Sequence, residues 1–544
     1  MPLGPCRAGT DVFIILLYLL SLLLFVAPGL LAARTIRLGG RRSDPMLLAL
    51  AASFGGLLGY VAFWIYFASP RAGFYFSSIY IALSLLSWIW LLCSRPGRKV
   101  IGLADVSLPL LFWLGVGVFY LGGLYSVQIG FPADVQARHR YWPVEWGQDD
   151  TAPQRLAELL YRGENPRVPD SEWGMSDRPP LQAGMFLVQR PLSLWTGLGI
   201  GGHYEAVAVG FQCCWVPAVW VLARLSGLAP QQAVRTLTLL AFSGFVLFNS
   251  VFVWPKMLAG AFGLLAASPL VSESRPLSAC NYAVAGAAAG LAWLAHGGVA
   301  FTLLALAAVF LIPRYWPGWR SIVAALGVFL ALALPWYAYQ KWYDPPGDKL
   351  AKAHFAGQLA IEQSPDESVA RVLLQAYQCL TLVQILEYKV ANAQTLVGPV
   401  PPLTLDGWRL AEFNNFAYAL GPLWLGLPLL VLPSRRRLWP WLAVGMLSVL
   451  LCVLLLYGPG AAHIRHGSYA GYLAIFGAAA AALALLPERA YALVLSIQAI
   501  WCIVVWLVSP ALAAQGQPEP AMIIVAAVAM ALLVLLLARD GASQ

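Results

Sequence analysis

Two adjacent carboxylates, Asp149 and Asp150, open the stretch DDTAPQRLAELLYRGENP, and further along Arg178 stands directly before Pro179 and Pro180. A carboxylate beside a hydroxyl can take its proton as a general base, and a guanidinium in fixed geometry can grip a phosphate through two parallel hydrogen bonds. The proline pair forces extended backbone and so restricts where Arg178 points. These residue types suit moving a group off a phosphate. Each also has a plainer account: the acids could be caps in the favourable field of a helix N-terminus, and the arginine could snorkel to lipid headgroups.

A short helix must position the acids. Asp150 or Thr151 fits its N-cap, Pro153 is tolerated in the first turn, and Gly163 suits the stop. Leu156, Leu159 and Leu160 recur at helical spacing while Gln154, Arg155, Glu158 and Arg162 take the other face, the pattern of a helix lying along a membrane surface. Asp177 is the neighbouring candidate partner for Arg178.

The surroundings of these residues are mostly hydrocarbon. Of 544 residues 60% are hydrophobic and 11% charged, against roughly a quarter charged in soluble chains, and the mean hydropathy is +0.71. The fold class is all-α: a polytopic transmembrane helical protein of about 15 spans, each apolar run long enough to cross the hydrocarbon core as a helix. The first run, DVFIILLYLLSLLLFVAPGLLAA, is expected to be a retained span, being too long and lacking the basic region and cleavage site of a signal peptide. Of eight cysteines, Cys93, Cys213, Cys214, Cys280, Cys452 and Cys502 fall in or beside spans and Cys6 and Cys379 in loops, so no disulfide framework is expected. The net charge of +9 sits in short clusters between spans, which argues for topology and against nucleic acid.

Alternate loops differ in charge. One set, including ARTIRLGGRRSD, CSRPGRKV, PRYWPGWR and PSRRRL, holds 17 of the 34 Lys and Arg, which assigns it to the cytoplasm. The two long loops, 127–184 and 341–415, then face outward, as do all six histidines. An N-terminal three-span extension (1–101) precedes a core (102–544) carrying both loops. No ionisable residue lies deep in a span; Arg190, Glu205 and Lys256 fall near ends. That disfavours a transporter.

Other outward residues have candidate roles. Lys256, after Trp254 and Pro255, can reach a lipid phosphate or anchor at the interface. In the second loop, WYDPPGDKLAKAHFAG gathers Asp344, Asp348, Lys349, Lys352 and His354 around a turn that could fold over the site or simply be solvated; Asp344, Lys349 and His354 are the substrate-loop candidates. His463, Arg465 and His466 follow a late span, with Arg465 and His466 better suited to phosphate than to zinc, and His296 suits a helix-end cap.

An acidic pair ahead of an amphipathic helix in the first large loop, then a basic residue before Pro-Pro-Leu, resembles the GT-C superfamily of membrane glycosyltransferases. The likeness is to its protein O-mannosyltransferase and aminoarabinose transferase branch, and it covers about 40 residues plus the architecture. It implies a polyprenyl-phosphate sugar donor, an acceptor hydroxyl on a glycan, glycolipid or protein, and an inverting reaction at the outer face of a bacterial inner membrane. By position, Asp149 would be the base, Asp150 a helper or metal ligand, and Arg178 the donor-phosphate contact. No cofactor is called for, with a divalent cation as an open alternative. Two departures stand out: the pair is Asp-Asp rather than Asp-Glu, and three extra spans come first. The alternatives are an O-antigen ligase or polymerase, which would not need Asp149, and a flippase or transporter of lipid-linked saccharides, which would need a charged path.

Overall fold

The computed structural model describes residues 10–37, 44–128, 136–141, 149–170, 173–196, 199–272, 277–359, 363, 367–513 and 516–538. Cys6 and parts of the basic segments at 38–43, 273–276 and 539–544 lie outside them. The described chain is almost entirely helical. Helices used below are labelled in chain order: α1 (Thr10–Arg37), α2 (Leu47–Ala68), α3 (Pro70–Cys93), α4 (Ala104–Leu124), α5 (Ala152–Arg162), α6 (Leu181–Gln189), α7 (Ile200–Gln212), α8 (Lys256–Ala266), α9 (Val369–Gln378), α10 (Leu382–Val397), α11 (Trp439–Leu455) and α12 (Pro520–Ala538).

Among the described residues, nine helices are long and apolar enough to cross a membrane, and two bent pairs qualify when each is taken as one span. Four shorter apolar helices, Lys256–Ala266, Ala279–Ala295, Gly297–Phe310 and Tyr469–Ala484, complete the bundle. The chain is an integral, multi-pass membrane protein. Faces such as that of α3 (Ile79, Leu83, Leu86) are exposed and apolar, as a lipid-facing surface must be when no water is present to solvate it.

Helices 1 to 3 do not stand apart. They share one continuous hydrophobic core with the rest of the chain, and α2 packs on α6 while α1 packs on α4 and α7. The link between α2 and α3 is one residue: Ser69, extended at φ −160°, ends α2 and caps α3 by accepting the Ala72 N–H at 3.3 Å. Contact between α2 and α6 is made backbone to backbone. A Cβ on Gly184 would meet the Gly59 carbonyl oxygen at 2.2 Å, so only glycine permits the approach, the small-residue device by which helices pack where water gives no driving force. Ser77 Oγ donates to the Leu187 carbonyl at 3.0 Å and Gln189 Nε2 to that of Ser21 at 3.2 Å. The fully buried α6, which follows Arg178-Pro-Pro, is thereby socketed among α1, α2 and α3.

Helix α5 forms over Ala152–Arg162 with Thr151 at its N-cap position and Gly163 at the stop, in the left-handed conformation (φ 71°) that glycine tolerates. The structure corrects its expected polar face. Leu156, Ala157 and Leu160 are buried and Arg155 and Arg162 are exposed, but Glu158 turns inward to a bidentate ion pair with Arg190. Arg190 also lies 4.3 Å from the Tyr161 ring centroid. This pair clamps α5 to the end of α6. Far along the chain, residues 127–128 pair with 517–518 in a short antiparallel ladder that brings α12 alongside α4.

Candidate active site

Asp149 and Arg178 meet. The Arg178 guanidinium donates to Asp149 Oδ1 in an ion pair whose side chains are 12% and 27% exposed, respectively. Arg178 has extended backbone (φ −105°, ψ 116°), as the following proline requires. The adjacent acid is turned the other way. Asp150 is 1% exposed; its Oδ1 accepts the Thr151 N–H at 3.1 Å and its carbonyl accepts the Tyr204 hydroxyl at 2.9 Å. Asp177, the expected neighbour of Arg178, accepts the Gly174 N–H at Oδ2 at 2.9 Å.

Cations from two other segments converge on the pair. Lys256, the first residue of α8, is buried, with its ammonium 3.5 Å from the Trp254 ring centroid and 5.3 Å from that of Tyr469, a cation over two aromatic faces. It lies within electrostatic reach of Asp149, Arg178 and Arg465. It is packed inside the protein, not anchored in lipid. Arg465 in turn reaches Asp149 and Tyr469; burial draws its pKa down from the usual arginine value.

Three imidazoles complete the wall. His354 lies within reach of Lys256, Arg178 and Asp149, and its ring centroid is 5.1 Å from that of His466. Burial, then Lys256 and Arg178, push its pKa down to about 4. His466 is lowered too, by burial and then by His354 and Lys256; its Nδ1 is 2.7 Å from the Ala461 carbonyl, so that nitrogen carries the proton. His296 ends the helix Ala279–Ala295 through its backbone, while its ring Nδ1 accepts the Gly298 N–H at 3.0 Å and so caps the following turn, Gly297–Val299. Its ring also packs 5.7 Å from Trp254 at the cluster's edge. His463, lowered to about 4 by burial and Arg465, sits one turn away, its ring 5.9 Å from His466.

The histidine shifts predict a pH dependence of stability. The unfolded chain, with histidine near 6.5, binds more protons than the folded one between about pH 6.5 and 4, so stability falls as pH drops through that window. His354→Gln should remove at most one proton's share of the slope, about 1.4 kcal/mol per pH unit, read from melting temperature against pH. An unchanged slope would show that His354 is not held neutral.

The remaining candidates divide. The second loop does fold against the first: Ser176 Oγ donates to the Asp344 carbonyl at 2.9 Å, and Gln340 Nε2 donates to the carbonyls of Ser176 at 2.7 Å and Gly347 at 3.1 Å. It brings His354 to the cluster. Asp344 and Lys349 stop short, beside Asp177, and burial raises the pKa of both carboxyls above the ordinary aspartate value. Lys352 is fully buried in a 3.0 Å ion pair with Asp348.

A buried amide network, which no sequence pattern announces, sets the positions of these groups. Gln182 Nε2 donates to Tyr204 Oη at 2.6 Å and to the Val253 carbonyl at 2.7 Å; Gln212 Nε2 donates to Gln182 Oε1 at 2.5 Å, and Gln212 Oε1 accepts the Leu258 N–H at 3.0 Å. Through Tyr204 and the Asp150 carbonyl the network fixes the acidic turn. Through Val253 and Leu258 it fixes the bend that presents Lys256. Val253 itself has φ 45°, a left-handed conformation costly for a β-branched residue and held only where its surroundings impose it.

Among the described residues, no grouping of three or more His, Cys, Asp or Glu side chains is arranged to hold a metal. No family model matches the chain, and no curated protein matches it. Among solved structures it is similar to the crystal structure of ArnT from Cupriavidus metallidurans bound to undecaprenyl phosphate, at 16% identity over 79% of this chain and 76% of that one, with a TM-score of 0.45.

Proposed function

We propose that this protein is a membrane glycosyltransferase that moves a sugar from a polyprenyl-phosphate carrier to an acceptor hydroxyl. The observation that supports this most is the Asp149–Arg178 pair with Lys256 and Arg465 beside it. One carboxylate and three cations, drawn from four separate segments, match what the reaction needs at its two ends. Asp149 takes the acceptor's proton as the hydroxyl oxygen attacks the anomeric carbon. The bond from that carbon to the phosphate oxygen breaks, and the phosphate leaves with the electron pair. Arg178, Lys256 and Arg465 stabilise the charge that gathers there. Arg178 carries five N–H donors, enough to steer Asp149 with one edge and hold phosphate with the other.

A single base and direct displacement make the reaction inverting. The resemblance of the DD and RPPL segments to the GT-C glycosyltransferases supports the same assignment. The Lys and Arg bias of the short loops supports an outward-facing site, where a lipid-borne sugar serves in place of a nucleotide sugar. Acceptors of the glycan, glycolipid and protein classes all offer the hydroxyl this mechanism uses.

The test is transfer by the purified protein in nanodiscs supplied with polyprenyl-phosphate sugars, with the acceptor product followed by mass spectrometry. Arg178→Ala should lower kcat by about 10²–10³-fold, the typical cost of one donor to a developing oxyanion, and raise the KM for the donor. Undiminished transfer in that variant would overturn the proposal.

A further inference from the structure

The second long loop contains a helical hairpin that the chemistry above does not use. Helices α9 and α10 bend by 109° at their junction and together have the hydropathy of a membrane span. They do not cross. Both arms return to the same turn at the end of α11, with the rings of Tyr377 (α9) and Tyr388 (α10) 5.2 and 5.8 Å from that of Tyr457.

The two sides of α10 are unlike. On one side Asn392 Nδ2 donates to the carbonyls of Val453 at 3.2 Å and Leu456 at 2.9 Å, and Asn392 Oδ1 accepts the Ala461 N–H at 2.9 Å. Lys389 Nζ adds a bond to the Leu456 carbonyl at 2.7 Å. On the other side Leu382, Val383, Leu386, Val390 and Val397 are all more than half exposed. At about 100° per residue they fall in one stripe roughly 100° wide, with Glu387 and Gln394 at one border. Leu374 on α9 and Val400 and Leu403 beyond α10 extend the exposed apolar surface.

We infer that the α9–α10 hairpin is a monotopic membrane element, its apolar stripe seated in the lipid of the leaflet at the end of the bundle that carries the site. The occupant is bilayer lipid because the surface is continuous with one already facing lipid. Span α11 exposes Met446, Leu450 and Leu454, and α10 is bonded to that helix at Val453, beside Leu454. A soluble loop does not keep so large an apolar stripe in water, and an amphipathic helix of this kind lies in the interface with that face among the acyl chains. The opposite face of α10 grips the 453–461 turn, which leads to Arg465 and His466. The hairpin thus braces a cationic wall of the site against the bilayer, and this holds whatever reaction the site performs.

The test places single spin labels on the full chain in phosphatidylcholine–phosphatidylglycerol nanodiscs. Leu386→Cys, Val390→Cys and Val397→Cys are built with Cys6, Cys93, Cys280 and Cys379 changed to serine, and Gln384→Cys and Ser368→Cys, at exposed polar positions, serve as controls. Collision with oxygen should exceed collision with a water-soluble nickel chelate at 386, 390 and 397, and the order should reverse at the controls. Nickel access along the stripe would overturn the inference, as would shielding from both reagents, the sign of a second protein copy covering it. Val383→Cys repeats the measurement should one stripe variant fail to fold.

Discussion

Asp149→Asn is expected to lower the rate of transfer by about 10²–10⁴-fold, the usual share of a general base, while the protein stays folded and still takes up its donor. The change is nearly isosteric, and the asparagine oxygen can still accept from Arg178. It cannot take a proton from an acceptor hydroxyl. The neighbouring substitution provides the contrast. Asp150 is buried and its Oδ1 accepts a backbone N–H, a contact asparagine can keep, so Asp150→Asn should cost less of the rate than Asp149→Asn. Single-turnover measurements on both variants, with donor binding followed separately, distinguish the two acids. A fully active Asp149→Asn protein would remove the base from the mechanism.

The second large effect falls on stability. Arg190 and Glu158 form a bidentate pair with side chains 7% and 13% exposed, joining α5 to the end of α6. Removing one partner leaves a largely buried charge without its main counter-ion, at a cost of up to about 3–5 kcal/mol. Arg190→Ala and Glu158→Ala should each lower the unfolding midpoint strongly, with loss of the Asp149 turn's placement and hence of activity. Arg190→Met combined with Glu158→Leu should recover much of the stability, since an apolar pair of similar volume avoids the stranded charge. If each single variant unfolds like the parent, the clamp is not structural.

Much of this was legible in the chain, for reasons that differ by residue. Asp149 and Arg178 announce themselves because few charges interrupt an apolar sequence and because Pro179 and Pro180 constrain the arginine locally. Lys256, His354, Arg465 and His466 could be assigned to one side of the membrane from loop charge. Their meeting could not, since it depends on how distant segments pack. Glu158 departs from its expected face: helical periodicity puts it on a polar side, and only the position of α6 reveals Arg190 behind it. Gln182, Tyr204 and Gln212 sit within or beside buried helices, where one amide among apolar residues has no periodic signature. Run length marks where apolar helices lie, but nothing in the composition foretells the 73° break between Pro230–Ala241 and Gly244–Val251.

The glycine contact between α2 and α6 also bears on the order of assembly. Helix α2 is translated long before α6, so the receptacle for the arginine-bearing segment is already in the bilayer when that segment emerges. Final placement of Arg178 then waits on a late arrival docking into an early-built notch. A bulky side chain at residue 59 or 184 would block that docking step, leaving every side chain of the candidate site present but unassembled.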